Sequence, residues 1–293
     1  MTSTSWRGRL QTVPQYLLPQ HLLSAGMYTL TRCTWEPLKN LLIRSVIRHY
    51  HVDMELARQP DYRQYPCFND FFTRELKAGA RPMADGTDLV VCPVDGSISQ
   101  IGTIEETALL QAKGHTYNLA GLLAGDEQLV RTFRDGRFAT FYLSPRDYHR
   151  IHMPASGQLT RMIYVPGRLF SVNRATSRCV PDLYARNERL ITIFQTDAGF
   201  MAVILVGAIF VGSMATVWAG QITPAAARER RQWDYLLPDR EVKLNRGEEL
   251  GRFNMGSTVI LLFEPGRIEW LEQPHADDAV VMGQAIARIS SIK

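Results

Sequence analysis

From Ala198 to Ala227 the chain carries no charged residue, and within that stretch FMAVILVGAIFVGSMATVWA runs for 20 residues. Such a length suffices for one helical crossing of a bilayer. Against a crossing, Gly207, Gly212 and Gly220 cut the run into pieces of about 4–8 residues, each rich in Val and Ile. Buried strands joined by glycine turns meet the same pattern. A lone span would also break the β texture on either side of it. The segment is read as buried sheet.

The flanking sequence supports that choice. From about residue 89, DLVVCPVDGSISQIG, RFATFYLSP, GQLTRMIYVPG, RLITIFQTDAG and STVILLFEPG are short β-branched or aromatic runs punctuated by Gly, Pro and Asp. Over 293 residues, 45% hydrophobic and 21% charged composition excludes collagen-like, disulfide-scaffold and disordered chains. Cys33, Cys67, Cys92 and Cys179 are scattered and form no C-x-x-C pair. With no apolar leader at the N-terminus, they read as reduced cytosolic thiols. A net charge of +4 does not predict nucleic-acid binding.

That charge is unevenly spread. Residues 1–50 hold Arg7, Arg9, Arg32, Lys39, Arg44 and Arg48 against Glu36, a local +5, so the rest sums to −1. In LKNLLIRSVIR, Leu38, Leu41, Leu42, Ile43 and Val46 fall near one helical face, with Lys39, Arg44 and Arg48 on the flanks. A basic helix of this kind suits an anionic bilayer surface or an ordinary packed arm. Pro14, Pro19 and Pro37 divide the arm, and ARQPDYRQYP near 57–66 reads as a linker. CFNDFFTREL then predicts a helix capped by Asn69 or Asp70 and ending at Lys77-Ala78-Gly79. The expected class is α+β, a basic helical arm (1–60) followed by a mainly β domain (61–293).

Four stretches carry candidate chemistry. Pro93-Val94-Asp95-Gly96 places a carboxylate in a tight turn, which alone is ordinary turn chemistry. In Tyr142–Pro154, His149 and His152 stand three apart, on one face if helical. Such a pair binds metal, moves protons, or is merely structural. With Asp95 it makes a metal-dependent membrane-lipid hydrolase the alternative function. In Gly251–Ile260, Gly256 precedes Ser257, whose hydroxyl can reach back to that peptide carbonyl if a base takes its proton. Tyr184–Arg189 is a dense polar cluster, an anion-binding loop or a solvated one. No P-loop, dinucleotide-binding, nucleophile-elbow or H-E-x-x-H signature occurs.

Taken together, FNDFFTRELK, PVDGS, YLSPRDYHRIHMP, VPGRLFSVN, ARNER, VGAIFVGSM and GRFNMGSTVI resemble the prokaryotic-type phosphatidylserine decarboxylases, which depend on a pyruvoyl group. The resemblance runs from about residue 60 to the C-terminus in the family's order and spacing. Met255 departs from the leucine many members carry, a swap of similar volume. The resemblance implies that Ser257 Oγ attacks the Gly256 carbonyl to give an ester. β-Elimination then leaves a dehydroalanine, and its hydrolysis yields a pyruvoyl group on residue 257. It further implies a self-cleavage triad of Asp95, His152 and Ser257, with His152 as base and Asp95 orienting it. A Schiff base to phosphatidylserine then releases CO₂ to give phosphatidylethanolamine, with His149 as proton donor. It also implies a long chain (1–256) paired with a short chain (257–293), held peripherally on the cytoplasmic face of the cell membrane. A homodimer of that unit is left open, and neither metal nor nucleic acid is called for. Arg186, Arg189 and His115 are the candidate headgroup contacts.

Overall fold

A computed structural model describes residues 6–112, 115–210, 213–224, 228–254 and 257–290 of the chain. Three helices open it: α1 (Trp6–Leu17), α2 (Gln20–Thr31) and α3 (Glu36–Tyr50). Pro19 caps α2 and Pro37 lies in the first turn of α3, as punctuation should. Pro14 instead lies inside α1, within a turn of its end, where one lost i→i−4 bond is tolerated.

On α3, Ile43 is fully buried and packs with Leu42, Val46 and Ile47 into a cluster with Tyr65, Phe68, Phe71 and Phe72. Lys39, expected on the polar flank, is buried one turn before Ile43. Its ammonium donates to the Arg63 carbonyl at 2.8 Å and to Asn40 Oδ1 at 3.2 Å, which makes the burial tolerable. The stretch read as a linker is therefore held at points, with a 3₁₀ turn at Tyr62–Gln64 and a buried Tyr65, while Arg58–Pro60, Arg63, Gln64 and Pro66 stay exposed.

α4 (Phe68–Phe72) is shorter than the predicted helix, and Cys67, not Asn69 or Asp70, is its cap. Beyond Thr73 the backbone pairs with the preceding segment: Ala57 bridges Leu76, Arg58 N–H donates to Glu75 O, and Lys77 N–H donates to Leu56 O. These non-local bonds replace the helical ones that the local sequence favours.

The remainder is mainly β. A nine-stranded antiparallel sheet runs Arg231–Asp234, Gly157–Val165, Arg189–Thr196, Gly199–Val206, Ser257–Phe263, Arg137–Leu143, Gly96–Thr103 and Ala279–Val280. Lys243–Leu244 also pairs with Gly157–Val165. Within the charge-free run, Gly199–Val206, Met214–Thr216 and Gly220–Gln221 are strands, as the sheet reading expected, although Gly220–Gln221 is exposed and not buried. Residues 201–206 are buried throughout, so the polar–apolar alternation of a one-sided strand is missing. Among the described residues no helix is long and apolar enough to cross a membrane.

A smaller four-stranded sheet, ordered Gly220–Gln221, Met214–Thr216, Glu249–Phe253, Arg150–His152, carries His152 on its last strand, with His149 just before it. Against it lies α2. Ser24 Oγ accepts from Phe210 N–H at 3.3 Å, Tyr28 OH donates to Gln221 Oε1 at 3.0 Å, and Arg32 Nη2 donates to Ser213 Oγ at 3.4 Å.

Candidate active site

The turn carrying Asp95 presses on the neighbouring strand. A Cβ on Gly96 would stand 2.3 Å from the Tyr142 carbonyl oxygen, so the approach requires glycine. Asp95 is buried. Its carboxylate accepts from Arg81 Nε at 2.8 Å (Oδ1) and 3.0 Å (Oδ2), from Arg81 Nη2, and from Met282 N–H at 2.9 Å. Those bonds raise the Arg81 pKa and keep its guanidinium charged.

His152 N–H donates to Pro93 O at 2.9 Å, which ties the Asp95 turn to strand Arg150–His152. The His152 ring is positioned at both nitrogens. Gly247 O lies 2.8 Å from Nδ1, so that nitrogen carries the proton, and Nε2 accepts from Tyr148 OH at 3.0 Å. Burial depresses its pKa, partly offset by the Gly247 bond, so the ring is neutral with its lone pair at Nε2. Among the described residues Asp95 makes no hydrogen bond to His152; the Gly247 carbonyl receives the Nδ1 proton instead.

His149 has no exposed surface. It stacks on Phe72 with centroids 4.0 Å apart and donates from Nε2 to Ser144 O at 3.0 Å. Nδ1 has no partner among the described residues. Burial first, and the charge of Arg74 second, depress its pKa to about 3. The two histidines do not share a helical face, because residues 150–152 are extended and not helical.

Ser257 opens the strand Ser257–Phe263, with its backbone opposite Leu143. On the other flank, Phe253 N–H donates to His149 O at 3.1 Å, and Asn254 N–H to Ser213 O at 2.9 Å. Asn254 Nδ2 also donates to Ser213 Oγ, the hydroxyl that Arg32 of α2 reaches. Gly256 itself lies outside the described residues, as does the side chain of Ser257. Backbone bonds thus gather His149, His152, Asp95 and the start of the Ser257 strand around one loop, Ser144–His149.

The other candidates lie elsewhere. Tyr184–Arg189 is neither an anion-binding nor a solvated loop. Tyr184, Asn187 and Arg189 are buried, and Asn187 Nδ2 donates to the carbonyls of Phe170 and Gly207. Arg189 spends its guanidinium on the carbonyls of Gly121, Leu122, Ala185 and Asn187, so none of it is left for a headgroup. Arg186 stacks over Tyr16 and Phe170 at 5.5 and 5.0 Å. His115 sits on the hairpin pairing Ala108–Ala112 with His115–Asn118, apart from the sheets that carry the site. Sequence reasoning missed Arg81, Arg74 and Asn254, whose neighbours come from distant segments, and it overlooked Tyr148 although it adjoins His149. Asp95 is committed to Arg81, and both His152 nitrogens are engaged. Among the described residues no His, Cys, Asp and Glu are grouped to hold a metal ion, so the geometry does not support the hydrolase alternative.

Comparison with known proteins bears on the same residues. A family model described as phosphatidylserine decarboxylase matches residues 68–288, and a second, described as PSD, matches residues 10–51. The phosphatidylserine decarboxylase proenzyme of Acidovorax ebreus (strain TPSY) is 52% identical over 279 residues, covering 95% of this chain and 97% of that protein. Its namesake from Pseudomonas aeruginosa (strain LESB58) is 51% identical over 286 residues, covering 97% and 98%. That from Bordetella avium (strain 197N) is 52% identical over 273 residues, covering 93% and 92%. Matched across both the arm and the β domain, at half identity and nearly full length, the chain belongs to the phosphatidylserine decarboxylase family.

Proposed function

We propose that the chain is a phosphatidylserine decarboxylase that cuts its own backbone between Gly256 and Ser257. The observation that carries this reading is the gathering of His149, His152, Asp95 and the Ser257 strand around the Ser144–His149 loop, in a chain whose relatives are named proenzymes.

Residue 257 suits a pyruvoyl group. The strand it opens is hydrogen-bonded on both sides, to Arg137–Leu143 and Gly199–Val206, so a chain end created there stays anchored. When formed, the group supplies a ketone for the substrate amine and a carbonyl sink for the electron pair left by CO₂. The protein's part is to place protons. His152, neutral and with its lone pair at Nε2, is in the form needed to deprotonate Ser257 Oγ, with Tyr148 OH as the bond to be exchanged. Asp95 and Arg81 form a fixed charge pair beside it. His149 carries its proton on Nε2, toward the loop that faces residue 257, and its unpartnered Nδ1 can accept a replacement. Serving as acid there fits that tautomer.

The arm supports peripheral attachment at the cytoplasmic face of the cell membrane, where a two-chain lipid is reached. Leu17, Leu22, Trp35 and Leu41 are 85%, 72%, 65% and 62% exposed on an arm that also carries the excess positive charge. The working unit is then the long and short chains together.

Intact-mass spectrometry tests the cut. It should find chains 1–256 and 257–293, the shorter one lacking a free amine and refractory to Edman degradation, in a preparation that releases CO₂ from carboxyl-labelled phosphatidylserine. An uncut chain with full activity would overturn the proposal.

A further inference from the structure

Several arginines set into the fold are neutralised or saturated. Arg81 is paired with Asp95, Arg150 with Glu75 and Glu249, and Arg161 with Asp126. Arg189, lacking a carboxylate, donates to four backbone carbonyls. Arg74, the other arginine buried among the described residues, is neither. It is 4% exposed, and among the described residues no carboxylate lies within ion-pair distance of it. Only Nη2 is bonded, to Arg146 O at 3.0 Å and Asp147 O at 3.5 Å, while Nε and Nη1 are buried without a partner. Its face lies over the Phe71 ring at 5.5 Å, but a buried guanidinium with two unpartnered nitrogens is costly, and an anion bound to them would offset that cost.

The same side chain lines a cleft of about 170 Å³ whose wall also contains Asp95, Arg81 and Tyr148, the last bonded to His152. The cleft alternates in sign, since Asp53, Asp147 and Arg146 contribute to it as well. Asp95 is spoken for by Arg81, and Asp147 by Ser144 N–H and Oγ. Such alternation suits a headgroup carrying an ammonium between anions.

We infer that Arg74 is the cation that grips the phosphodiester of the lipid headgroup in the cleft beside Asp95 and Tyr148. The inference rests on the decarboxylase reading. Of the two headgroup anions, the phosphodiester is the one to hold. It is unchanged by the reaction, whereas an ion pair to the departing carboxylate would stabilise the ground state and slow its loss. An anion at Arg74 would also offset the second of the two causes that keep His149 neutral.

Arg74→Gln and Arg74→Lys should self-cleave normally. Their KM for short-chain phosphatidylserine should rise about 10–100-fold for Gln and less for Lys, with kcat within about threefold, as expected for losing charge-assisted hydrogen bonds. Calorimetry supplies a readout independent of turnover. Wild-type enzyme should bind glycerophosphoglycerol, a phosphodiester without amine or carboxylate, more tightly than inorganic phosphate or lactate, and Arg74→Gln should lose that binding. Preference for lactate would assign Arg74 to the carboxylate and overturn the inference. So would preference for inorganic phosphate, unchanged KM in a folded variant, or no binding of glycerophosphoglycerol by the wild type, whether or not the variants fold. Absence of CO₂ release by the wild-type enzyme would instead overturn the decarboxylase reading itself.

Discussion

His149 trades acid stability for a defined tautomer. In the unfolded chain its imidazole titrates near 6.5, but in the fold burial and Arg74 hold the pKa to about 3. As pH falls through that window, the unfolded chain takes up a proton that the folded chain refuses, so stability drops. The loss amounts to a few kcal/mol at most, on the order set by such a shift. His149→Gln should therefore show a shallower fall in urea midpoint between pH 7 and pH 4 than wild type; parallel profiles would refute the burial argument. Chemically, His149→Ala should still mature yet decarboxylate about 10²–10⁴-fold more slowly, whereas Ser257→Ala should remain one uncut, inactive chain. Failure of His149→Ala to cleave would exchange the roles given to the two histidines. At this scale the sequence singles out the histidine pair and Asp95, because each sits in a short motif. It does not single out Arg81 or Arg74. Whether an arginine is satisfied depends on partners 14 and 72 residues away, which no local pattern reports.

Elements were legible where period and burial agreed. The charge-free run read correctly as sheet because glycine spacing and Val/Ile content pointed the same way. FNDFFTREL read as too long a helix, since Glu75, Leu76 and Lys77 are claimed by backbone partners at Leu56–Arg58 that local propensity cannot see. The shared face of the histidine pair was conditional on a helix, and the condition is not met, since Arg150–His152 is a strand. In the arm, the expected amphipathic face divides. Ile43 turns inward to the aromatic cluster while Leu41 stays exposed, so the surface offered to lipid comes from several helices. Replacing Leu17, Leu22 and Leu41 together by Ser should weaken sedimentation with anionic vesicles about tenfold or more. Turnover of detergent-dispersed short-chain substrate should stay within about twofold. Undiminished vesicle binding would exclude these helices as the lipid contact.

Across the whole molecule, the proposed cut falls at the edge of the central strand. Downstream of it, Ser257–Phe263 lies between Arg137–Leu143 and Gly199–Val206, Ala279–Val280 pairs with Gly96–Thr103, and Ala285–Ile289 lies between Leu89–Val91 and Ile268–Trp270. A 37-residue fragment (257–293) would thus be woven into two sheets at once. Its seven-residue central strand is one that the rest of the chain must fold around. While the backbone is intact, that insertion is an intramolecular step; once cut, it becomes the meeting of two chains, one too short to hold a structure alone. Mature enzyme unfolded in guanidinium and diluted should therefore recover little activity or circular dichroism, while uncut Ser257→Ala should regain its spectrum. Equal recovery of the two would show that the fragments find each other freely. The cut would then act as a ratchet. It confers the reactive group and at the same moment surrenders the route back to the fold, so the enzyme's working lifetime is set by the waiting time to its first opening.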